Sequence, residues 1–124
     1  MKKIFTPNAP KPVGHYSQAI VHDNVVYVSG QLPIDPVSGE MRLGTIEEQT
    51  EQALKNLAEI LKAAGTDINK VIKTTAYISD IQLWDRVNNV YSKFFGEHRP
   101  ARAIVPTKEL PHGINIEIEA IASL

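Results

Sequence analysis

The chain has 124 residues, 43% of them hydrophobic and 22% charged, and a formal net charge of −1. These values suit one compact domain, which we expect to span residues 1–124. The basic residues are scattered, which disfavours a nucleic-acid surface, and the lack of cysteine excludes disulfides and zinc–thiolate sites. No apolar run approaches the roughly 18 residues of a membrane span. Segment 6–10 interrupts any signal-peptide core, so we expect a cytoplasmic protein.

Two short apolar runs near the N-terminus predict a β-hairpin. The runs Ser17–Val21 and Val25–Ser29 are separated by His22, Asp23 and Asn24. These three residues tolerate the positive φ of a tight turn. A turn-rich loop, residues 35–40, follows the second strand and separates it from the next element.

The first helix is predicted to begin after Thr45. Thr45 and Glu48 match a capping box, in which the hydroxyl and the carboxylate each bind a backbone N–H. Gly65 suits the left-handed position that ends a helix. The apolar stripe between them, at helical spacing, consists of Ala53, Leu54, Leu57, Ile60, Leu61 and Ala64.

A strand, a second helix and two further strands complete the chain. The β-branched run Val71–Ile78 predicts a strand. The spacing of Trp84, Val87, Tyr91 and Phe94 predicts a helix that ends at Gly96. Strands over 100–105 and 114–122 then give the order ββαβαββ. That order predicts an α+β fold, with both helices on one face of a mixed sheet.

Three charged residues lie within the last two strands. Alternation puts Glu117 and Glu119 on the face opposite Ile116, which belongs under the helices. The loop 108–113 is short enough to make these strands neighbours, so we expect Arg102 to share the helix-free surface with the glutamates. A buried charge is costly unless it is paired or binds a ligand. Spacing alone leaves three uses open: an anionic substrate, a structural Arg–Glu pair and a solvated sheet face.

Five motifs are spread along the chain: Gly14–Ala19, Ser29–Pro36, Val87-Asn88 with Tyr91 and Phe95, Pro100–Arg102, and Ile116–Ala122. Together they resemble the RidA family, also called YjgF, the reactive intermediate deaminases. The match runs nearly from end to end in the right order. Five motifs that agree in this way are far more specific than any one of them.

The resemblance implies a chorismate-mutase-like fold that forms a homotrimer, with a small-molecule site at each subunit interface. In such a trimer the helix-free sheet faces meet around a central barrel. The implied reaction is hydrolysis of 2-imino acids, such as 2-iminopropanoate (the imine of 2-aminoacrylate) and 2-iminobutanoate, to 2-keto acids and ammonium. The reaction needs no redox step or electron sink, so no cofactor is expected.

The resemblance also implies roles for individual residues. Arg102 would hold the substrate carboxylate through its planar guanidinium. Glu117 would orient and deprotonate the water that adds to the C=N carbon, with Glu119 as a structural neighbour. Tyr16 would hydrogen-bond the imine nitrogen or the water, although a tyrosine beside a strand start is also commonly a packing residue.

Three further residues are implied in the pocket. Ser29 and Gly30 would form its floor, where glycine permits close backbone approach. Asn88 lies next to the apolar face of its helix, so its amide is either satisfied locally or aimed at the site.

The chain departs from the family pattern at several positions. His15 stands where proline is common, and we expect this loop histidine to face solvent. Ala103, Ile104 and Pro106 stand where a small polar residue, a cysteine and a glutamate are common. Ile104 shares the face of Arg102, so it should reshape the pocket near the substrate's side chain. Pro106 lacks a backbone donor and indicates a strand end or bulge.

The sequence also bears on three other classes of function: a metal site, a non-catalytic binding module and RNA cleavage. No metal site is expected, because the four histidines (His15, His22, His98 and His112) show no paired ligand spacing. A non-catalytic module that binds small carboxylates through Arg102 remains an alternative. RNA cleavage or translation inhibition, attributed to some relatives, is another, which the slightly acidic balance disfavours.

Overall fold

The computed structural model describes all residues, 1–124, and contains six strands and two helices. The strands are β1 Lys2–Ile4, β2 Ala19–His22, β3 Val25–Gln31, β4 Val71–Ile78, β5 Ala101–Pro106 and β6 Ile116–Ser123. The helices are α1 Ile46–Ala64 and α2 Trp84–Phe95. Neither helix is long and apolar enough to cross a membrane.

The strands form one mixed sheet in the order β1-β2-β3-β6-β4-β5. Only β4 and β5 pair in parallel, and α2 provides the crossover between them. One apolar core joins both helices to one face of the sheet, which confirms the predicted α+β arrangement. Its fully buried members include Leu54, Leu57 and Ile60 of α1 and Ile116 and Ile118 of β6.

The local signals for the hairpin and for α1 are confirmed. Asp23 and Asn24 both have positive φ, 48° and 61°, as a two-residue turn between β2 and β3 requires. Thr45 Oγ1 accepts from the backbone N–H of Glu48 at 3.2 Å, and Gly65 ends α1 at φ 90°. The Glu48 carboxylate instead lies against Gly44, so only one bond of the predicted capping box forms.

The strand β1 was not predicted, because it is short and carries two lysines rather than an apolar alternation. It pairs with β2 at the sheet edge. A buried glutamine holds the segment that follows: Gln18 accepts from the Thr6 N–H at 2.7 Å and donates to the Pro10 carbonyl at 2.9 Å.

The expected pairing of the last two strands is wrong. β4 lies between β5 and β6, pairing in parallel with the first and antiparallel with the second. The connection from Pro106 to Ile116 is long enough to cross one intervening strand. β6 thereby becomes a central strand, which suits its isoleucine-rich composition.

The expected shared surface of Arg102 and the glutamates is also wrong. Arg102 is in register with the buried Thr74, so it lies on the helix side of the sheet. Glu117 and Glu119 are in register with Tyr77 and Thr75, on the helix-free side, as predicted for these two glutamates. One chain therefore holds the arginine and the two carboxylates on opposite faces of its sheet.

Candidate active site

The Arg102 side chain is held by one face of α2. Its Nη1 donates to Oδ1 of Asn88 at 2.9 Å. Its Cζ lies 4.6 Å from the ring centre of Tyr91 and 5.4 Å from that of Trp84. Because Trp84, Asn88 and Tyr91 follow one another at intervals of four and three residues, they form one row along the helix. We call Arg102 and this row the arginine half-site.

Tyr91 is the fixed member of that row. Its hydroxyl lies 2.7 Å from Oγ1 of Thr74, on the strand beside Arg102, and its ring is buried. Burial raises the pKa of the Tyr91 hydroxyl, so the group stays neutral and does not pair with the guanidinium. Tyr91 therefore offers Arg102 an aromatic face, not a counter-charge.

Arg102 has no acidic partner. No carboxylate oxygen lies within 4.0 Å of its nitrogens, whereas Arg42 and Arg86 each form an ion pair. Asn88 occupies one nitrogen, which leaves an edge of the guanidinium free for a planar, two-oxygen anion. The arginine borders a cleft of about 490 Å³ whose lining also includes His98 and Arg99 and contains no acidic residue. The half-site can therefore accept a carboxylate.

A second group of residues surrounds Glu117 on the helix-free face. Gly30 lies at an irregularity in the pairing of β3 with β6, and the Glu117 carboxylate packs directly over it. A Cβ at residue 30 would stand 2.9 Å from Cδ of Glu117, closer than real Cβ atoms approach. A side chain at residue 30 would therefore force the Glu117 carboxylate out of its present position.

The Glu117 carboxylate has an unusual electrostatic environment. It is partly buried and accepts no hydrogen bond, whereas Glu119 accepts one from the Tyr77 hydroxyl at 3.1 Å. Burial, together with the negative charge of Glu119, raises the pKa of Glu117 above its ordinary value of 4.5. The bond to Glu119 in turn raises the pKa of Tyr77. Glu117 is thus suited to exchange a proton, while Glu119 is held in place.

Ser29 precedes Gly30, and its hydrogen bonds tie it to the segment that follows Tyr16. Ser29 Oγ donates to the Ser17 carbonyl at 2.6 Å, and the Ser29 N–H donates to the Gln18 carbonyl at 3.0 Å. These bonds fix the preceding loop next to Gly30. Tyr16 is 48% exposed, and its hydroxyl accepts only a long bond, 3.4 Å, from the Val13 N–H. We call Tyr16, Ser29, Gly30 and Glu117 the glutamate half-site.

The seven residues expected in the site therefore divide into two sets. Asn88, Arg102 and Ile104 lie on the helix side, and Ile104 packs half-buried against the core in register with Ala76. The four members of the glutamate half-site make no hydrogen bond to that set. The exposed His15 contacts neither set by a hydrogen bond, and no group of three or more possible metal ligands gathers anywhere in the chain.

Three neighbours of the charged groups were not recognised as such from the sequence. Trp84 and Tyr91 were assigned to an apolar stripe, although their spacing around Asn88 was a usable signal. Tyr77 lies two residues after Thr75 on a predicted strand. Its bond to Glu119 depends on the register of β4 with β6, which the sequence does not reveal.

The contact between Gly30 and Glu117 predicts strong energetic coupling. We expect Gly30→Ala to lower the free energy of unfolding by about 1–3 kcal/mol, because the new methyl group collides with the carboxylate. In a Glu117→Ala background the same change should cost much less. Urea denaturation of the four proteins gives the coupling energy. An equal cost in both backgrounds would mean that the backbone, not the carboxylate, requires glycine.

Comparison with known proteins places this chain in a family. Residues 6–124 match the family model described as Endoribonuclease L-PSP. The rat 2-iminobutanoate/2-iminopropanoate deaminase is 50% identical over 98% of this chain and 88% of its own. A Thermotoga maritima crystal structure superposes with a TM-score of 0.97 at 49% identity, covering 100% of this chain and 98% of that one. The E. coli protein TdcF with bound serine superposes with a TM-score of 0.95 at 36% identity, covering 100% and 99%. This chain belongs to the RidA/YjgF family.

Proposed function

We propose that this protein hydrolyses small 2-imino acids, such as 2-iminopropanoate and 2-iminobutanoate, to 2-keto acids and ammonium. The name of the rat relative describes that substrate class, and TdcF is described with serine, a small amino acid that carries a carboxylate. The observation that carries the proposal is the free edge of the Arg102 guanidinium beside an acid-free cleft. A monocarboxylate matches both its charge and its planar shape.

The proposed reaction adds one water across a C=N bond. Arg102 holds the substrate carboxylate while Glu117, as the carboxylate, accepts a proton from water as its oxygen bonds to the imine carbon. The imine nitrogen takes a proton from solvent, and a neutral carbinolamine forms. Glu117 then gives its proton to the amine nitrogen and, as the C–N bond breaks, takes the hydroxyl proton while the C=O bond forms. The keto acid and ammonia are released, and ammonia takes that proton from Glu117 to become ammonium. A raised pKa suits Glu117 to both accepting and returning a proton.

The remaining site residues have supporting roles in this proposal. Tyr16 donates to the imine nitrogen or to the water, and its exposed ring leaves the hydroxyl free to reach a ligand. Ser29 and Gly30 form the floor beneath Glu117. Asn88 orients Arg102, and Ile104 limits the size of the substrate's side chain. No step requires a cofactor.

The proposal requires more than one chain at each site. Arg102 and Glu117 lie on opposite faces of one sheet, so one substrate cannot reach both in a single subunit. The helix-free face also leaves Tyr27 and Val105 exposed, at 47% and 38%. A homotrimer with these faces turned inward covers both residues and brings the arginine half-site of one copy to the glutamate half-site of the next.

Two other functions remain alternatives. A binding module without catalysis uses Arg102 in the same way but needs no acid with a raised pKa. RNA cleavage is the second alternative, because the family model that matches residues 6–124 is described as Endoribonuclease L-PSP. Incubating the protein with single-stranded RNA, alongside the imine assay below, separates these three activities.

The direct test of the proposal is a coupled assay. A serine or threonine dehydratase generates 2-aminoacrylate, and keto-acid formation is followed with and without this protein. We expect clear acceleration above the spontaneous rate. No acceleration at any protein concentration would contradict the enzymatic function.

Arg102→Lys should remove most of the activity, because a lysine offers a point charge where the carboxylate needs two parallel donors. We expect kcat/KM to fall about 10- to 100-fold. Arg86→Lys is the matched control, since Arg86 is an arginine of α2 whose guanidinium pairs with Glu47 on the surface. Similar losses in both variants would argue against a substrate role for Arg102.

Glu117→Gln should lower kcat about 10²- to 10⁴-fold while pyruvate binding, measured by calorimetry, stays near the wild-type level. In the wild type, turnover should rise with pH as Glu117 loses its proton, with a midpoint above 4.5 because its pKa is raised. Glu119→Gln removes a negative charge, so it should move that midpoint to lower pH. Loss of both binding and turnover in Glu117→Gln would indicate a structural role.

Mixed assemblies test whether two copies build each site. We expect Arg102→Lys and Glu117→Gln each to lose most of the activity, and refolding the two variants together should restore part of it. With random mixing, about a quarter of the interfaces combine an intact Arg102 with an intact Glu117. Sedimentation should show a trimer. A mixture as inactive as its components, or an active monomer, would contradict the shared site.

A further inference from the structure

Trp84 is the least explained member of the arginine half-site. It begins α2, it is 36% exposed, and it belongs neither to the buried core nor to the residues packed against that core. Its indole N–H makes no hydrogen bond to another residue. The defined interaction of its ring is with the guanidinium of Arg102, at 5.4 Å.

Arg102 needs support from more than one direction. A long arginine side chain loses conformational entropy when it is fixed in one orientation. If the side chain is fixed only when the ligand binds, this loss of entropy weakens the binding. Asn88 holds one nitrogen in the plane of the guanidinium, and Tyr91 covers it from a position fixed by Thr74. Trp84, at the helix N-terminal end of the row, provides the third contact to the guanidinium.

We infer that Trp84 is a positioning residue, which fixes the guanidinium plane of Arg102 through a cation–π contact and so prepares its free edge for the substrate carboxylate. The inference rests on the proposed function, in which Arg102 binds that carboxylate. The contact is made equally in the ground state and the transition state, so its loss should raise KM and leave kcat nearly unchanged. That pattern differs from the loss of kcat expected for Glu117→Gln.

Two variants distinguish the effect of the aromatic π face of Trp84 from the effect of its size. Trp84→Leu keeps an apolar side chain but removes the π face, and Trp84→Phe restores a smaller π face. Phe94→Leu is the matched control, because Phe94 is an aromatic residue of α2 that packs on Phe95, away from Arg102. All three are measured in the full chain as it assembles in solution.

The first measurement needs neither ligand nor activity. In the free protein, the Nε–H proton of Arg102, assigned by its loss in Arg102→Lys, should show a ring-current shift. Trp84→Leu should move this signal toward the random-coil position, and Trp84→Phe should retain most of the shift. An unchanged signal in Trp84→Leu, or an equal change in Phe94→Leu, would overturn the inference.

The second measurement links the contact to recognition. Calorimetry with pyruvate should show a dissociation constant about two- to fivefold higher for Trp84→Leu, within twofold of wild type for Trp84→Phe, and unchanged for Phe94→Leu. KM should follow the same order at nearly constant kcat. An unchanged dissociation constant in Trp84→Leu, or a fall in kcat alone, overturns the positioning role. If the wild type neither binds pyruvate nor turns over imines, the proposed function fails, and the Arg102 signal alone decides whether Trp84 holds the guanidinium.

Discussion

The parallel pairing of β4 with β5 is the constraint on which the candidate site depends. The register that sets Thr74 opposite Arg102 turns the guanidinium toward α2, where a row of side chains can hold it. The antiparallel register of β4 with β6 turns Glu117 the other way, over Gly30. A shift of either register by one residue would turn the charge on the shifted strand to the other face and remove its half-site.

Within one chain, the opposite faces of the sheet keep Arg102 and Glu117 from pairing with each other. If Arg102 and Glu117 shared a surface, they would form an ion pair, which would occupy the guanidinium and lower the pKa of the carboxylate. Apart from each other, Arg102 retains a free edge and Glu117 retains a raised pKa. Both groups therefore remain without a charged partner in the single chain, as the proposed site between copies requires.

Local signals predicted the elements well, and the long-range arrangement less well. The turn at Asp23-Asn24, the cap at Thr45 and the end of α1 at Gly65 follow from backbone preferences of a few residues, and the structure confirms them. The neighbour of β5 does not follow from such preferences, because a loop of moderate length can join adjacent strands or cross one between them. The face of Arg102 was predicted wrongly because of that ambiguity. The face of Glu117 was predicted correctly because it depends only on the alternation of side chains along β6.

The order of the strands also determines which parts of the sheet can meet another chain. Its edges are β1 and β5, and an edge strand offers unpaired backbone groups on which a foreign strand can extend the sheet. β1 has three residues and begins with Lys2 and Lys3, so its length and like charge oppose such growth. β5 ends in Pro106, which has no N–H to offer a new partner. These features of β1 and β5 oppose edge-to-edge aggregation of the chain.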